Sequence, residues 1–204
     1  MALERAAQRH HLSVLDLVLG HGMEQLVREG KVTYVGSSNF AAWDVALAQC
    51  AAPARHFMGL TSEQSLYNLA VRAVELELIP ALRSLGVGLI PYSPLHLGRL
   101  AGLHETATEG RISDDSTQQR IGAHRDQLEA YEGLCRELGA NPVDVALAWL
   151  LRNRVVATTV VGATTIEELQ SDLGALSVQL DADVVERLDQ IWPGPGEAPQ
   201  AYAW

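Results

Sequence analysis

Four short apolar runs, each ending in small or polar residues and then opening into a helical pattern, organise this chain. The runs occupy residues 32–35, 58–61, 87–90 and 159–161. Such a rhythm is typical of parallel βα units, in which chemistry gathers at the carboxyl ends of the strands. The pattern therefore predicts four parallel strands of an α/β fold, with helices covering them.

Helical periodicity and capping residues fill the intervals between the runs. The predicted helices are residues 23–30, ending at Gly30; 41–50, capped by Asn39; about 71–85, closed by Gly86; 118–138; 142–152, behind Asn141; 165–176, capped by Thr165; and one that starts at Asp181. A polar loop over residues 102–117 lengthens the third interval. Four strands of this kind fit either half of an eight-stranded barrel or a small doubly wound sheet.

The polar residues at the strand exits suit a nicotinamide dinucleotide. Ser38, Asn39 and Gln64 follow or end the first two runs and can hold an amide from two sides. Tyr92 follows the third run and can stack on a ring. Simpler roles stay open, because Asn39 can cap a helix, Gln64 can close a turn and Tyr92 can pack in the core.

The later exits offer groups for a pyrophosphate. Ser93, Leu95 and Gly98 lie in a tight segment where backbone can approach phosphate. Gly162, Thr164 and Thr165 precede the next helix, and a helix N-terminus attracts anions. A flavodoxin-like sheet is disfavoured, because residues 36–40 make a poor phosphate loop.

Four motifs, in order, resemble segments of the aldo-keto reductases. They are residues 30–40 (GKVTYVGSSNF), 63–68 (EQSLYN), 91–95 (PYSPL) and 161–169 (VGATTIEEL). The resemblance covers residues 23–204 and implies strands 5–8 of a (β/α)₈ TIM barrel, the C-terminal half of an enzyme that reduces carbonyls with NADPH. Residues 1–22 form an N-terminal segment that does not match the family.

The resemblance also implies roles for single residues. Ser38, Asn39 and Gln64 would bind the carboxamide, and Tyr92 would stack on the nicotinamide. The remaining residues would line the pyrophosphate and adenosine sites: Ser93, Leu95, Gly98, Gly162, Thr164, Thr165, Glu168 and Asp172.

The adenosine end departs from the family pattern. Glu168 stands where the family commonly has Arg or Gln, and Asp172 stands where it has Asn. A carboxylate repels a 2′-phosphate but accepts a hydrogen bond from a free ribose hydroxyl. The family resemblance implies NADPH as the coenzyme, and these two residues leave NADH as an alternative.

A narrower resemblance concerns the substrate. Residues 95–98 (LHLG) and the ending 198–204 (APQAYAW) are similar to the branch that reduces NDP-linked keto- or 2,3-enoyl-deoxyhexoses in antibiotic biosynthesis. In the family the C-terminal segment covers the substrate. Tyr202 and Trp204 are therefore candidates to contact a sugar, although an irregular tail without this role is an equal alternative.

The family's catalytic set of Asp, Tyr, Lys and His comes from the first half of the barrel. This chain has one lysine, Lys31, which precedes the first strand and so lies away from the exits. We therefore assign no catalytic residue and expect a truncated enzyme with negligible turnover as a lone chain. The alternative is a non-catalytic, nucleotide-binding or self-associating barrel fragment, because open strand edges seek partners.

Composition narrows the partners. The net charge of −10 argues against a nucleic acid or an anionic membrane surface. The two cysteines read as apolar filler in a reducing cytoplasm, and no metal-ligand spacing is present. A small-molecule carbonyl or NDP-sugar is the expected partner. Tyr34, Leu60 and Leu89 are predicted to face the barrel interior, where loss of opposite strands would weaken the fold.

Overall fold

The computed structural model describes residues 22–102 and 124–202. Most of the loop predicted over residues 102–117 and the start of the helix predicted at residue 118 lie outside them, as do residues 1–21 and Trp204. The described elements, in chain order, are α1 (Gly22–Arg28), β1 (Val35–Ser38), α2 (Ala42–Ala51), β2 (Leu60–Leu66), α3 (Leu78–Leu85), β3 (Gly88–Tyr92), α4 (Arg125–Leu138), α5 (Pro142–Leu151), α6 (Ile166–Asp172) and α7 (Ala182–Ile191).

The described strands form one parallel sheet in the order β1-β2-β3. Ser37 lies opposite Glu63, and Glu63 lies opposite Leu89, so these three residues share a face of the sheet. Parallel strands joined through helices confirm the predicted α/β fold. The (β/α)₈ barrel stays a prediction, because the described sheet has three strands.

The fourth predicted strand, residues 159–161, is wrong as a regular element. The backbone still follows β3, since Val156 forms a parallel bridge with Leu89 and the Val160 N–H donates to the Pro91 carbonyl (2.9 Å). These scattered bonds do not make a continuous ladder. The segment therefore lies along the outer edge of β3, and β1 forms the free edge of the described sheet.

One face of the sheet is covered by helices and forms the core. Leu60 and Leu89 are 2% and 0% exposed and belong to a cluster that includes Val145 and Leu150 of α5. The expectation that Leu60 and Leu89 face a barrel interior is wrong, whereas the same expectation for Tyr34 stays a prediction. Leu60 and Leu89 lie in this helix-covered cluster, and Tyr34 precedes β1 and is 63% exposed.

The capping residues predicted at several helix ends are confirmed. Gly86 ends α3 in the left-handed conformation, and the Asn141 side chain accepts from the Val143 N–H at the start of α5. Thr165 and Asp181 cap α6 and α7 in the same way. The predicted Asn39 cap is wrong, because α2 begins after Ala41 without a side-chain cap.

Two further elements differ from the prediction. The helix predicted over residues 71–85 is split into a 3₁₀ turn at Ala73–Glu75 and α3, which begins at Leu78. The helix predicted over residues 165–176 continues after α6 as a 3₁₀ turn at Leu173–Ser177. Within the described residues, no helix has both the length and the apolar content needed to cross a membrane.

The chain's last described segment packs along the outside of α3. Glu197 pairs with Arg83 (2.9 Å), and this guanidinium holds the pKa of the Glu197 carboxyl below its usual range. The Tyr202 hydroxyl donates to Glu77 (2.9 Å). The tail is thus tethered to the last turn of α3 through Arg83 and to the residue before its start through Glu77.

Candidate functional site

The carboxyl ends of the three strands lie side by side and present polar residues. Ser38 is paired in register with Gln64, and Tyr92 is paired with Leu66 of the same neighbouring strand. We call Ser38, Asn39, Gln64 and Tyr92 the strand-exit rim. The parallel direction of the strands places these four residues at one end of the sheet.

Direct hydrogen bonds join the members of the strand-exit rim. The Tyr92 hydroxyl donates to Asn39 Oδ1 (3.1 Å), across 53 residues of sequence. Asn39 Nδ2 donates to Ser38 Oγ (3.2 Å), and the Asn39 N–H donates to the Gln64 carbonyl (2.9 Å). The side chains of Ser38 and Asn39 remain exposed, so a ligand can reach them.

Strained backbone is concentrated at the same end of the sheet. Five described residues other than glycine have positive φ, and four of them follow β1 or β3: Asn39, Ser93, His96 and Leu97. A left-handed backbone conformation costs a non-glycine residue about 1–3 kcal/mol. Residues in this conformation cluster at ligand sites. The chain therefore bears this cost mainly where β1 and β3 end.

The segment after β3 is held in a tight turn. Asn68 Nδ2 donates to the Ser93 carbonyl (3.0 Å), and the Gly98 N–H donates to the Leu95 carbonyl (2.9 Å). Gly98 has a φ of 90°, which glycine adopts without strain. Ser93, Leu95 and Gly98 thus lie together in one turn that begins directly after Tyr92.

The fourth exit contains a complete capping box. Thr165 Oγ1 accepts from the Glu168 N–H (3.1 Å), and the Glu168 carboxylate accepts from Thr164 N (2.6 Å), Thr164 Oγ1 (2.8 Å) and Thr165 N (3.3 Å). Gly162 lies three residues before Thr165 and follows the segment bonded to Pro91. Among the described residues, no hydrogen bond joins Thr164, Thr165 or Glu168 to Asn39, Gln64 or Tyr92.

The fourth exit carries acidic side chains and no basic ones. Bonds from the Thr164 N–H and hydroxyl hold the pKa of the Glu168 carboxyl below its usual range, so it is charged at neutral pH. Burial, and then the Glu168 charge, raise the pKa of Asp172. No Lys, Arg or His occurs between residues 155 and 186. A second anion placed here meets repulsion that no side chain of this segment offsets.

Glu63 is a residue that the sequence reasoning missed. It is 0% exposed and accepts from the Ser37 hydroxyl, the Ser65 hydroxyl (2.6 Å) and the Phe40 N–H (3.1 Å). The sequence gives no clear signal for this residue, because Thr61 and Ser65, two positions to either side of it on β2, are polar as well. Its partners on β1 could only be named once the strand register was known.

Other ionisable side chains near the sheet are already engaged. The Tyr67 hydroxyl donates to Glu75 (2.8 Å), and burial, followed by the Glu75 charge, raises the pKa of this tyrosine. Lys31 precedes β1 and pairs with Glu29 (2.6 Å). In the two described ranges, no group of three acidic, histidine or cysteine side chains is placed to hold a metal ion.

Comparison with known proteins identifies a family that the chain matches. Residues 11–193 match the family described as aldo/keto reductase. The chain is 44% identical over 182 residues to "Uncharacterized oxidoreductase YrpG" of Bacillus subtilis, covering 89% of this chain and 56% of that protein.

Two further relatives are more distant. "Probable aldo-keto reductase 1" of Glycine max is 31% identical over 182 residues, covering 84% of this chain and 49% of the relative. Norsolorinic acid reductase B of Dothistroma septosporum is 30% identical over 190 residues, covering 90% and 47%. The chain therefore spans about half the length of the curated relatives it matches.

Proposed function

Because the chain belongs to the aldo/keto reductase family, we propose that its strand-exit rim binds the nicotinamide end of NAD(P)H and serves the reduction of a small-molecule carbonyl. The family typically uses NAD(P)H and acts on carbonyl substrates. The observation that carries the proposal is the convergence of Asn39, Gln64 and Tyr92, which bonds and strand register bring to one end of the sheet.

The donor and acceptor chemistry of the rim suits a carboxamide. Asn39 and Gln64 each carry an amide with donor and acceptor atoms, and Ser38 adds a hydroxyl that can play either role. Tyr92 supplies an aromatic surface next to them. A bound coenzyme would supply the hydride, and these side chains would hold its nicotinamide in a fixed orientation beside the substrate.

The other candidate residues belong to the rest of the coenzyme. We propose that the turn containing Ser93, Leu95 and Gly98 holds the pyrophosphate. Gly98 has no side chain, so a phosphate can come close to the backbone there. The adenosine end is assigned to the fourth exit, through its remaining candidate residues: Gly162, Thr164, Thr165, Glu168 and Asp172.

Coenzyme preference rests on Glu168. The family resemblance implies NADPH, but the Glu168 carboxylate already accepts from Thr164 and Thr165 at the start of α6. A 2′-phosphate would compete with it for these donors and be repelled by its charge. We therefore propose that both coenzymes bind and that NADPH loses its usual advantage over NADH.

The proposed substrate class is an NDP-linked keto- or 2,3-enoyl-deoxyhexose. The support is the sequence resemblance of residues 95–98 and 198–204. The Tyr202 hydroxyl is bonded to Glu77 rather than to any rim residue. A sugar-contacting role for Tyr202 would therefore require the tail to leave Glu77.

A cytoplasmic location is proposed from cysteine chemistry. Cys50 is exposed and Cys135 is buried, and neither forms a disulfide. Unpaired thiols are the usual state in a reducing compartment.

Fluorescence titration tests coenzyme binding directly. NADH and NADPH are titrated with the wild-type chain, and Asn39→Ala and Gln64→Ala are expected to weaken binding of both coenzymes about tenfold each, since each removes bonds to one carboxamide. Gln25→Ala, which removes an exposed amide on α1, is the matched control and should bind as wild type. Wild-type protein that binds neither coenzyme would overturn the proposal.

A second function, self-association, is favoured by exposed apolar surface. Trp43 and Leu47 of α2 are 63% and 55% exposed, and Ile166, Leu173 and Leu176 in or after α6 are 58–70% exposed. The free edge of β1 in the described sheet adds backbone groups that a further strand can pair with. This function does not exclude coenzyme binding.

A further inference from the structure

A buried carboxylate lies beneath the strand-exit rim. Glu63 is on β2, immediately before Gln64, and its side chain faces the helix-covered side of the sheet while Gln64 faces the other. Its three partners are neutral donors: the Ser37 hydroxyl of β1, the Ser65 hydroxyl of β2 and the Phe40 N–H. One side chain therefore joins two strands and the exit of β1.

The Phe40 bond fixes the strained residue next to it. Asn39 has a φ of 57°, a conformation that costs a non-glycine residue about 1 kcal/mol or more. The N–H of Asn39 donates to the Gln64 carbonyl, and the next N–H along the chain, that of Phe40, donates to Glu63 Oε1. Two successive amide bonds to β2 thus hold the turn that presents the Asn39 side chain.

Burial makes these bonds hard to replace. A carboxylate removed from water needs hydrogen-bond donors to offset its lost hydration. If an apolar side chain replaced Glu63, the Phe40 N–H and two hydroxyls would be left inside the protein without this acceptor. A conformation of the Asn39 turn in which these N–H groups point toward water would then become lower in free energy.

We infer that Glu63 is a positioning residue for the nicotinamide site, acting through Phe40 and Ser37 to hold Asn39 where it can bond the carboxamide. The inference rests on the proposed function and concerns the same rim. Glu63 itself does not reach the coenzyme, because it faces the opposite side of the sheet.

Two substitutions separate hydrogen bonding from charge. In Glu63→Gln the amide oxygen can still accept from Phe40 and Ser65, and the amide nitrogen can donate to the Ser37 hydroxyl, which accepts as well as donates. In Glu63→Met the length is similar but these acceptors are lost. We expect Glu63→Gln to keep NADH affinity within about threefold and Glu63→Met to lose at least about tenfold.

ADP-ribose shows where the loss arises, because it is NADH without the nicotinamide ring. Glu63→Met should bind ADP-ribose within about twofold of the wild type, since the carboxamide contacts are absent from this probe. The matched control is Glu24→Met, which removes another buried glutamate, paired with Arg55 (2.7 Å) away from the rim. It should lower the melting temperature without changing the ratio of NADH to ADP-ribose affinity.

Hydrogen exchange of the coenzyme-free protein gives a readout that does not depend on binding. The amides of residues 39 and 40 should exchange at least about tenfold faster in Glu63→Met than in the wild type or Glu63→Gln. Unchanged exchange, or equal loss of NADH affinity in both Glu63 variants, would overturn the inference. Failure of the wild type to bind NADH or ADP-ribose would instead overturn the proposed function, and the exchange rates would still report whether Glu63 holds the turn.

Discussion

At the residue scale, Tyr92 and Asn39 meet because two parallel strands end at the same level. The Tyr92 hydroxyl is committed to Asn39 Oδ1, which leaves the amide nitrogen of Asn39 to bond Ser38 or a ligand. The two residues therefore act together, the ring as a surface and the amide as a directional contact.

Substitution of Tyr92 separates these two contributions. Tyr92→Ala removes the ring and should weaken NADH binding about tenfold, the size of one aromatic stacking contact. Tyr92→Phe keeps the ring and should cost only about threefold, through looser placement of Asn39. Titration of both variants with NADH checks this order. Equal affinity of Tyr92→Ala and wild type would show that the ring does not contact the nicotinamide.

Substitution of Glu168 tests the proposed coenzyme preference. Glu168→Gln removes the charge and keeps a side chain able to accept from Thr164 and Thr165. The ratio of NADPH to NADH affinity should rise about fivefold, because repulsion of the 2′-phosphate is relieved. Glu167→Gln, one residue away but outside the capping contacts, is the control. An unchanged ratio would remove Glu168 from the adenosine site.

The sequence predicted some residue-scale features and missed others for a physical reason. Asn39, Gln64 and Tyr92 were identifiable because their types suit an amide and a ring, although the roles themselves stay proposals. Glu63 was not identifiable, because its partner Ser37 lies 26 residues away and is set by strand register. The expected Asn39 cap failed because Ala41, two residues later, takes the N-cap position of α2, while Asn39 has a left-handed φ of 57°.

At the element scale, α5 and α6 differ sharply in burial. Six consecutive residues of α5, from Val145 to Leu150, are buried, whereas α6 has no buried residue. Both helices nevertheless begin with a side-chain cap, provided by Asn141 and Thr165. A cap contributes to global stability only as far as its helix is coupled to the core.

This difference predicts unequal effects of removing the two caps. Asn141→Ala should destabilise the protein by about 1 kcal/mol and lower the melting temperature by about 3 °C. Thr165→Ala should leave the melting temperature within about 1 °C and instead increase hydrogen exchange in α6. Thermal melts and exchange measurements check both. A larger loss of melting temperature in Thr165→Ala would show that α6 is coupled to the core.

Elements defined by local chemistry were the ones that the sequence predicted well. The end of α3 at Gly86 and the starts of α5 and α7 depend on one residue and its neighbours. The strand over residues 159–161 was predicted from its composition, but a strand also needs a continuous partner. The segment has only scattered bonds to β3, and so the prediction failed.

At the scale of the whole molecule, apolar surface remains exposed in two separate parts of the chain. Trp43 and Leu47 lie on α2, while Ile166 and Leu173 lie in or just after α6. Large exposed apolar patches commonly mark interaction surfaces. The molecule thus combines a helix-covered core with two surfaces suited to contact with another chain.

Self-association should follow from the surface at α2. Sedimentation of the wild type should show an average mass that increases with concentration, while the double variant Trp43→Lys, Leu47→Lys should sediment as a monomer at concentrations about tenfold higher. Leu138→Lys on α4, which is 37% exposed, serves as the control and should associate as the wild type. A wild-type chain that stays monomeric throughout would contradict this account.

The central claim is that one end of the sheet binds a pyridine nucleotide, and NMR of the ¹⁵N-labelled chain during titration with NADH tests it most directly. The account predicts that the backbone amides of Asn39 and Phe40, the side-chain amides of Asn39 and Gln64, and the amides around Tyr92 shift together along one saturable curve. Absence of saturable shifts, or shifts confined to residues away from the strand-exit rim, would contradict it.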